Sequence, residues 1–328
     1  MHRHIPRRRF CSLLALAAMG ATGSATAAPL EQARILCGFP AGSTIDVVAR
    51  RVADKLAAAG YARSVVVDNR TGAGGQLAVS ATKGQPADGS VILITPMSIL
   101  GIYPHTYKKL PYDAATDLTP VSNGTSFDYG FAVGPAVPDS VKTIPEFMAW
   151  AKANPAKASV GSPAPGSTLH FSALMLGRSS SVELTHIGFR GSQAGIQDLL
   201  GGQLPAMSSP LGEFLRHAPG GKLRILGTSG AKRSRFTPNV PTYAEQGYKD
   251  MTYSEWYGFF VPAKASGDTV NRLNAALREA LKAADVVEAL YGFGLEPNAS
   301  SPTELGATLK ADTDRWAPVV KAIGFTAD

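Results

Sequence analysis

The 328-residue chain is poor in cysteine, with two residues of that type. Cys11 falls in a segment that reads as an export signal, so Cys37 is left without an internal disulfide partner. Set in the apolar run Arg34–Phe39, Cys37 reads as a buried, inert thiol. Neither cysteine resembles a lipoprotein attachment site. No apolar stretch reaches the ~20 residues of a spanning helix, so a membrane anchor is not expected. Low-complexity tracts and internal repeats are missing. So is a Gly-x-Ser-x-Gly elbow; Gly227-Thr228-Ser229-Gly230 is one residue off and ends a strand. His105, His170, His186 and His217 lie far apart and lack metal-ligand spacing. Arg70-Thr71-Gly72-Ala73-Gly74-Gly75 follows a strand but lacks the spacing of a dinucleotide loop. No Lys/Arg run carries interleaved aromatics, which argues against nucleic acid as a partner. The expectations are no catalytic residue, no metal and no cofactor, hence a protein that is not an enzyme.

What is present begins with residues 1–27. Arg3, Arg7, Arg8 and Arg9 make a basic start, Leu13–Met19 is a short apolar run, and Ala25-Thr26-Ala27 is a small-x-small cleavage site. That is the three-part pattern of a secretory signal. Arg7-Arg8-Arg9-Phe10 also fits a twin-arginine signal, and the Sec and twin-arginine routes both stay open. With these four arginines removed, the formal net charge falls from +7 to +3. Much of the basic balance therefore belongs to the signal, and the mature chain is expected in the periplasm.

The roughly 300 residues that follow exceed the usual size of one core. Short β-branched runs alternate with helical periodicity. Arg34–Phe39, Ser64–Asp68 and Val91–Thr95 read as strands, separated by helices, which predicts a mostly parallel sheet. The segment 118–133 reads as a long crossing. The alternation then restarts, with strands at Ser159–Gly161, Val182–Ile187 and Leu223–Leu226. A late strand, Trp256–Val261, and the C-terminal helices are left over and are assigned to the first unit. The expected organisation is residues 28–122 plus 255–328 as one lobe and 123–254 as the other, crossed twice by a hinge, with a ligand in the cleft between them.

Two turns carry the ligand chemistry. In the first, Phe39, Ala41, Gly42, Ser43, Thr44 and Asp46 join a strand to a helix start. A helix start exposes unpaired N–H groups and partial positive charge, Gly42 permits close approach and the hydroxyls add donors. Asp46 reads as serving the helix start itself. In the second lobe, Ser162, Gly166, Ser167, Thr168 and His170 repeat the design. His170 reads as a structural or ligand-side hydrogen-bonding group. Two such turns facing one cleft predict an anionic ligand, held at one carboxylate or at two ends.

Seven motifs in order give the chain a family resemblance. They are Gly38-Phe39-Pro40-Ala41-Gly42 through Arg50; Val67-Asp68-Asn69-Arg70 with the glycines to Gly75; Tyr107-Lys108-Lys109-Leu110-Pro111-Tyr112-Asp113; Ala151-Lys152-Ala153-Asn154-Pro155; Gly188-Phe189-Arg190-Gly191-Ser192; Asp198-Leu199-Leu200-Gly201-Gly202-Gln203; and Pro238-Asn239-Val240-Pro241-Thr242. Each is short, but their joint order is specific. The chain resembles the Bug family, extracytoplasmic solute receptors of tripartite tricarboxylate transporters. The resemblance implies an α/β, type II periplasmic-binding-protein-like fold, two lobes with two hinge crossovers closing on a small organic carboxylate. It implies contacts from the two turns just described and delivery to membrane permease subunits; a monomer is expected. The other readings are presentation of the same ligand to a membrane sensor, and a secreted hydrolase. Where the family often has an aspartate at a strand end, this chain has Ser208-Ser209. Ser208 joins the expected ligand contacts, and the missing charge favours a simple carboxylate over an amino acid.

Overall fold

The computed structural model describes residues 28–327, so residues 1–27, read above as an export signal, and Cys11 among them lie outside the described residues. Two mixed sheets organise the chain. The first contains β1 (Leu30–Cys37), β2 (Ala62–Asn69), β3 (Val91–Pro96), β4 (Leu118–Phe127), β10 (Glu255–Pro262) and β11 (Glu296–Pro297). The second contains β5 (Tyr129–Val133), β6 (Ser159–Ser162), β7 (Thr185–Gly188), β8 (Ala206–Pro210) and β9 (Arg224–Thr228). Their orders are β11-β4-β10-β3-β1-β2 and β7-β6-β8-β5-β9.

Each sheet repeats one arrangement. The first strand of its βαβ run lies between the second and third, giving β2-β1-β3 in one sheet and β7-β6-β8 in the other, all parallel. An antiparallel strand then flanks the third, β10 beside β3 and β5 beside β8. The mostly parallel expectation thus holds for only part of each sheet. Antiparallel strands enter because the chain changes sheet twice and brings strands in from the other side.

The change of sheet is sharper than the sequence suggested. Segment 118–133 does cross between the sheets, as two strands that meet at Asp128 rather than as an irregular connection. A boundary at 122 falls inside β4, which stays in the first sheet through Phe127. The chain leaves the second sheet after Thr228 and re-enters the first at Glu255. Two other expectations shift for local reasons. The strand sought at Val182–Ile187 begins only at Thr185, because the Val182 amide closes the preceding helix on the Gly177 carbonyl at 2.9 Å. Strand β8 escaped recognition because Ser208 and Ser209 interrupt its apolar character, although all five of its residues are buried.

Burial explains why these elements persist. Strand β3 is buried at all six positions, as expected for a strand covered on both faces. Helix Thr44–Ala58 turns Ile45, Val48, Ala49, Val52 and Leu56 inward at helical spacing. The last helix, Pro302–Ile323, starts on a capping box. The Ser301 hydroxyl accepts from the Glu304 amide at 3.2 Å, and the Glu304 carboxylate accepts from the Ser301 amide at 2.7 Å. Cys37 is fully buried, and burial pushes its thiol up to about 12, so it stays protonated and unreactive.

Candidate functional site

The C-terminal ends of β1 and β3 approach those of β6 and β8: Ser98 Oγ, after β3, and Thr168 Oγ1, after β6, lie 2.7 Å apart, and the Thr44 amide, after β1, lies 2.8 Å from Glu213, after β8. The crevice beyond parallel strand ends is where ligands of open α/β sheets bind. Four helix starts converge there: Thr44 after β1, Ser98 in Met97–Gly101 after β3, Thr168 after β6, and Leu211–Leu215 after β8.

The first turn is held together by its own acid. Gly42, at φ 81°, donates its amide to Asp46 Oδ2 at 2.8 Å. Asp46 also accepts from Arg50 Nε at 2.9 Å and from Asn69 Nδ2 at 2.8 Å, which ties the turn to β2. Burial raises the Asp46 carboxyl, but the bonds from Arg50, Gly42 and Asn69 outweigh it and hold the group below the ordinary carboxylate range. Asp46 is therefore engaged in building the turn. Ala41 and Gly42 are exposed and lie off the cavity wall, whereas Phe39, Ser43 and Thr44 line it.

In the second turn, Gly166, at φ 80°, donates its amide to His170 Nδ1 at 3.1 Å. His170 stacks on His186, with ring centroids 3.6 Å apart, and His186 Nε2 pairs with Ser162 Oγ at 2.8 Å. Histidines distant in sequence are thus adjacent in space, as packing for the turn. Burial, then the neighbouring His186, drives His170 down to about 3; burial drives His186 down to about 4. Both are neutral at physiological pH. Ser162, Gly166, His170 and Ser208 stand behind the cavity wall, while Ser167 is on it. The Ser167 hydroxyl is buried without a hydrogen-bond partner, as is that of Ser208.

The main finding is what occupies the helix starts. Glu213, from the second lobe, accepts the Thr44 amide of the first lobe on Oε1 at 2.8 Å and Gln193 Nε2 on Oε2 at 2.7 Å. Glu255, at the start of β10, reaches the other way. Its Oε1 accepts from the Ser98 amide at 2.9 Å and the Ser98 hydroxyl at 2.6 Å. Its Oε2 accepts from Thr168 Oγ1 at 2.7 Å and Tyr129 OH at 2.6 Å. Thr44 Oγ1 also pairs with Tyr257 OH at 2.8 Å. The chain's own carboxylates thus fill positions where a helix start attracts an anion, and each bridges the two lobes. Glu213 and Glu255 are only 1% and 2% exposed, so neither has ready access to water. Burial pushes the Glu213 carboxyl up, against the opposing bonds from Thr44 and Gln193.

Motif reading missed Glu213, Glu255, Ser98 and Tyr129. One signal was available: Glu255 opens an otherwise apolar, fully buried strand, and a lone acid there needs several donors.

The inner cavity among these groups measures ≈ 40 Å³, room for about three waters. A wider recess of ≈ 490 Å³ shares its Phe39 and Pro163 walls. Both lobes line that recess, which includes the Gly72–Gly75 backbone, Lys109 and Arg190. The lobes also touch at Gly212, where an added Cβ would collide with the Phe293 carbonyl. Gly212→Ala is therefore expected to cost about 1–3 kcal/mol and to prop the lobes apart. Small-angle scattering of the variant should show a larger radius of gyration than wild type; an unchanged radius would show that the contact does not set the closed position.

Comparison with known proteins agrees with this architecture. A model of the tripartite tricarboxylate transporter family receptor matches residues 48–325. The chain is 30% identical to BugT of Bordetella pertussis, over 95% of each chain. Among solved structures it is similar to Rpa4515 of R. palustris with adipate, at 28% identity and a TM-score of 0.85, covering 90% of this chain and 98% of that one. It is also similar to MatC of Rhodopseudomonas palustris with bound malate, at 25% identity and a TM-score of 0.82, covering 89% and 99% respectively. Members of this family are periplasmic binding receptors and not enzymes. The chain belongs to the tripartite tricarboxylate transporter receptor family, the Bug proteins.

Proposed function

We propose that this chain is exported with removal of residues up to Ala27, and works as a monomer in the periplasm. It captures a small organic carboxylate between two lobes and delivers it to the permease subunits of a tripartite tricarboxylate-type transporter. The lobes divide at Asp128 and in the return segment 229–254. The observation that carries this reading is the convergence of helix starts from both sheets on one cleft, below a recess with Lys109 and Arg190 in its wall. The inner cavity has no room for a molecule the size of adipate. Capture therefore requires the lobes to part, and the ligand then favours the closed form by touching both. The adipate and malate held by the two similar structures support a carboxylate as the ligand class.

Thermal-shift measurements on the mature chain against mono-, di- and tricarboxylates and amino acids test this. A solute at about 100 times its Kd stabilises by ~2.7 kcal/mol. If none of these acids moves the transition while neutral or aromatic compounds do, the ligand class is wrong.

A further inference from the structure

We infer that the cleft selects a solute carrying a protonated amine at one end and a carboxylate at the other, with Glu213 and Glu255 as the specificity-determining pair. The inference rests on the carboxylate-receptor reading and sharpens its ligand class.

Four observations carry it. First, Glu213 and Glu255 both line the inner cavity and are almost wholly shielded from water. Their bonding partners are amides, hydroxyls and one carboxamide. Arg216 approaches Glu213, but its guanidinium stays 4.0 Å away, beyond hydrogen-bond length. Burial favours the neutral form of Glu213, and a positive nitrogen beside it would turn it toward the carboxylate; a dianion on the same floor would gain no such pairing. Second, Ser167 projects a buried hydroxyl with no partner from the same wall. An orphan of this kind marks a place where a ligand atom completes the bonding. Third, Phe39, Phe127 and Tyr257 line the cavity, and aromatic rings favour an alkylammonium over a carboxylate. Fourth, the charge reverses outward, because the recess that shares Phe39 and Pro163 with the cavity is lined by Lys109 and Arg190. An acidic floor under a basic mouth fits a molecule whose two charges are separated. No group of three or more metal-ligating side chains gathers among the described residues, so an organic cation fits the floor better than a metal ion.

This inference departs from the expectation drawn from Ser208-Ser209, which counted only the end of β8. The acid sought at the end of β8 is missing, but acids reach the cleft from the helix after β8 and from β10.

The test is titration calorimetry on the mature chain with ω-amino acids of three to six carbons, each set against the diacid and the simple amine of equal length. One of the ω-amino acids should bind at least about tenfold more tightly than its matching diacid and amine, a difference of about 1.4 kcal/mol. Glu213→Gln, which keeps an acceptor for the Thr44 amide, should erase that preference, bringing the ω-amino acid and the diacid of equal length to within about threefold of each other. A diacid that binds as well as the amino acid overturns the inference but leaves the receptor reading standing. A Glu213→Gln variant that keeps the wild-type ranking overturns it in the same way. If no acid or amine binds at all, both readings fail. The wild-type ranking decides the matter even if the variant does not fold.

Discussion

Glu255→Ala is expected to lower the unfolding free energy by about 3–5 kcal/mol, since several buried donors lose their shared acceptor at about 1–3 kcal/mol each and partly re-pair with one another. The Glu255 carboxylate accepts from the Ser98 amide and from the hydroxyls of Ser98, Thr168 and Tyr129. These donors come from both lobes, and all three residues are buried, Thr168 completely. Truncation leaves an amide and three hydroxyls around a small void, each facing a desolvation cost that water cannot relieve. Glu255→Gln should cost much less, because Thr168 and Tyr129 can rotate their hydroxyls to accept from the new amide. Urea unfolding of both variants checks this. Alanine and glutamine variants of equal stability would show that the carboxylate is not the hub described here. The loss should also loosen closure, since the same four donors lock Thr168 to Ser98.

Acidification is expected to destabilise the fold through the stacked imidazoles of His170 and His186. An unfolded histidine titrates near pH 6.5, whereas the folded values are about 3 and about 4. Below pH 6.5 the unfolded chain takes up protons that the folded chain refuses. Stability is therefore complete above that pH and declines as pH falls toward the folded values. Each unit of that window costs about 1.4 kcal/mol per fully buried site. His170, only 1% exposed, should account for about 2 kcal/mol by pH 5. His186 is half-buried and should contribute less. His170→Asn can keep an acceptor near the Gly166 amide without the titration. Unfolding free energies measured at several pH values between 6.5 and 4.5 should show a slope shallower by about one proton. An unaltered slope would mean that His170 is not the group refusing the proton.

Much of the fold was legible because it is written in local chemistry. Thr143 with Glu146, and Ser301 with Glu304, form capping boxes, each from a hydroxyl and an acid three residues apart. Both glycine–serine turns stand where a strand meets a helix. Each feature depends on residues a few positions apart, whose geometry the chain cannot vary. What failed to show were elements defined by partners far away. Strand β8 looks polar in isolation and is a strand because β5 and β6 flank it. The turn at Asp128 is visible only because β4 and β5 pair into different sheets.

The candidate site divides in the same way. Phe39, Ser43, Thr44, Ser167 and Thr168 were named from their turns, and they reach the cleft wall or its hydrogen bonds. Ser162 and His170 were named by the same logic and instead brace the turn from behind. Spacing says that a helix starts but not which side of its turn faces the ligand.

By itself, then, the sequence determined that this is an alternating α/β chain with two anion-attracting helix starts in matching positions, because helix starts, caps and glycine turns are short-range events. Only the tertiary structure decided what those starts hold. Glu213 lies 169 residues from the Thr44 amide it accepts, and Glu255 lies 87 from Thr168. No local rule joins such pairs. They meet because strand ends and helix starts of both sheets border one cleft, and that meeting places acids where the turns alone had predicted only an incoming anion.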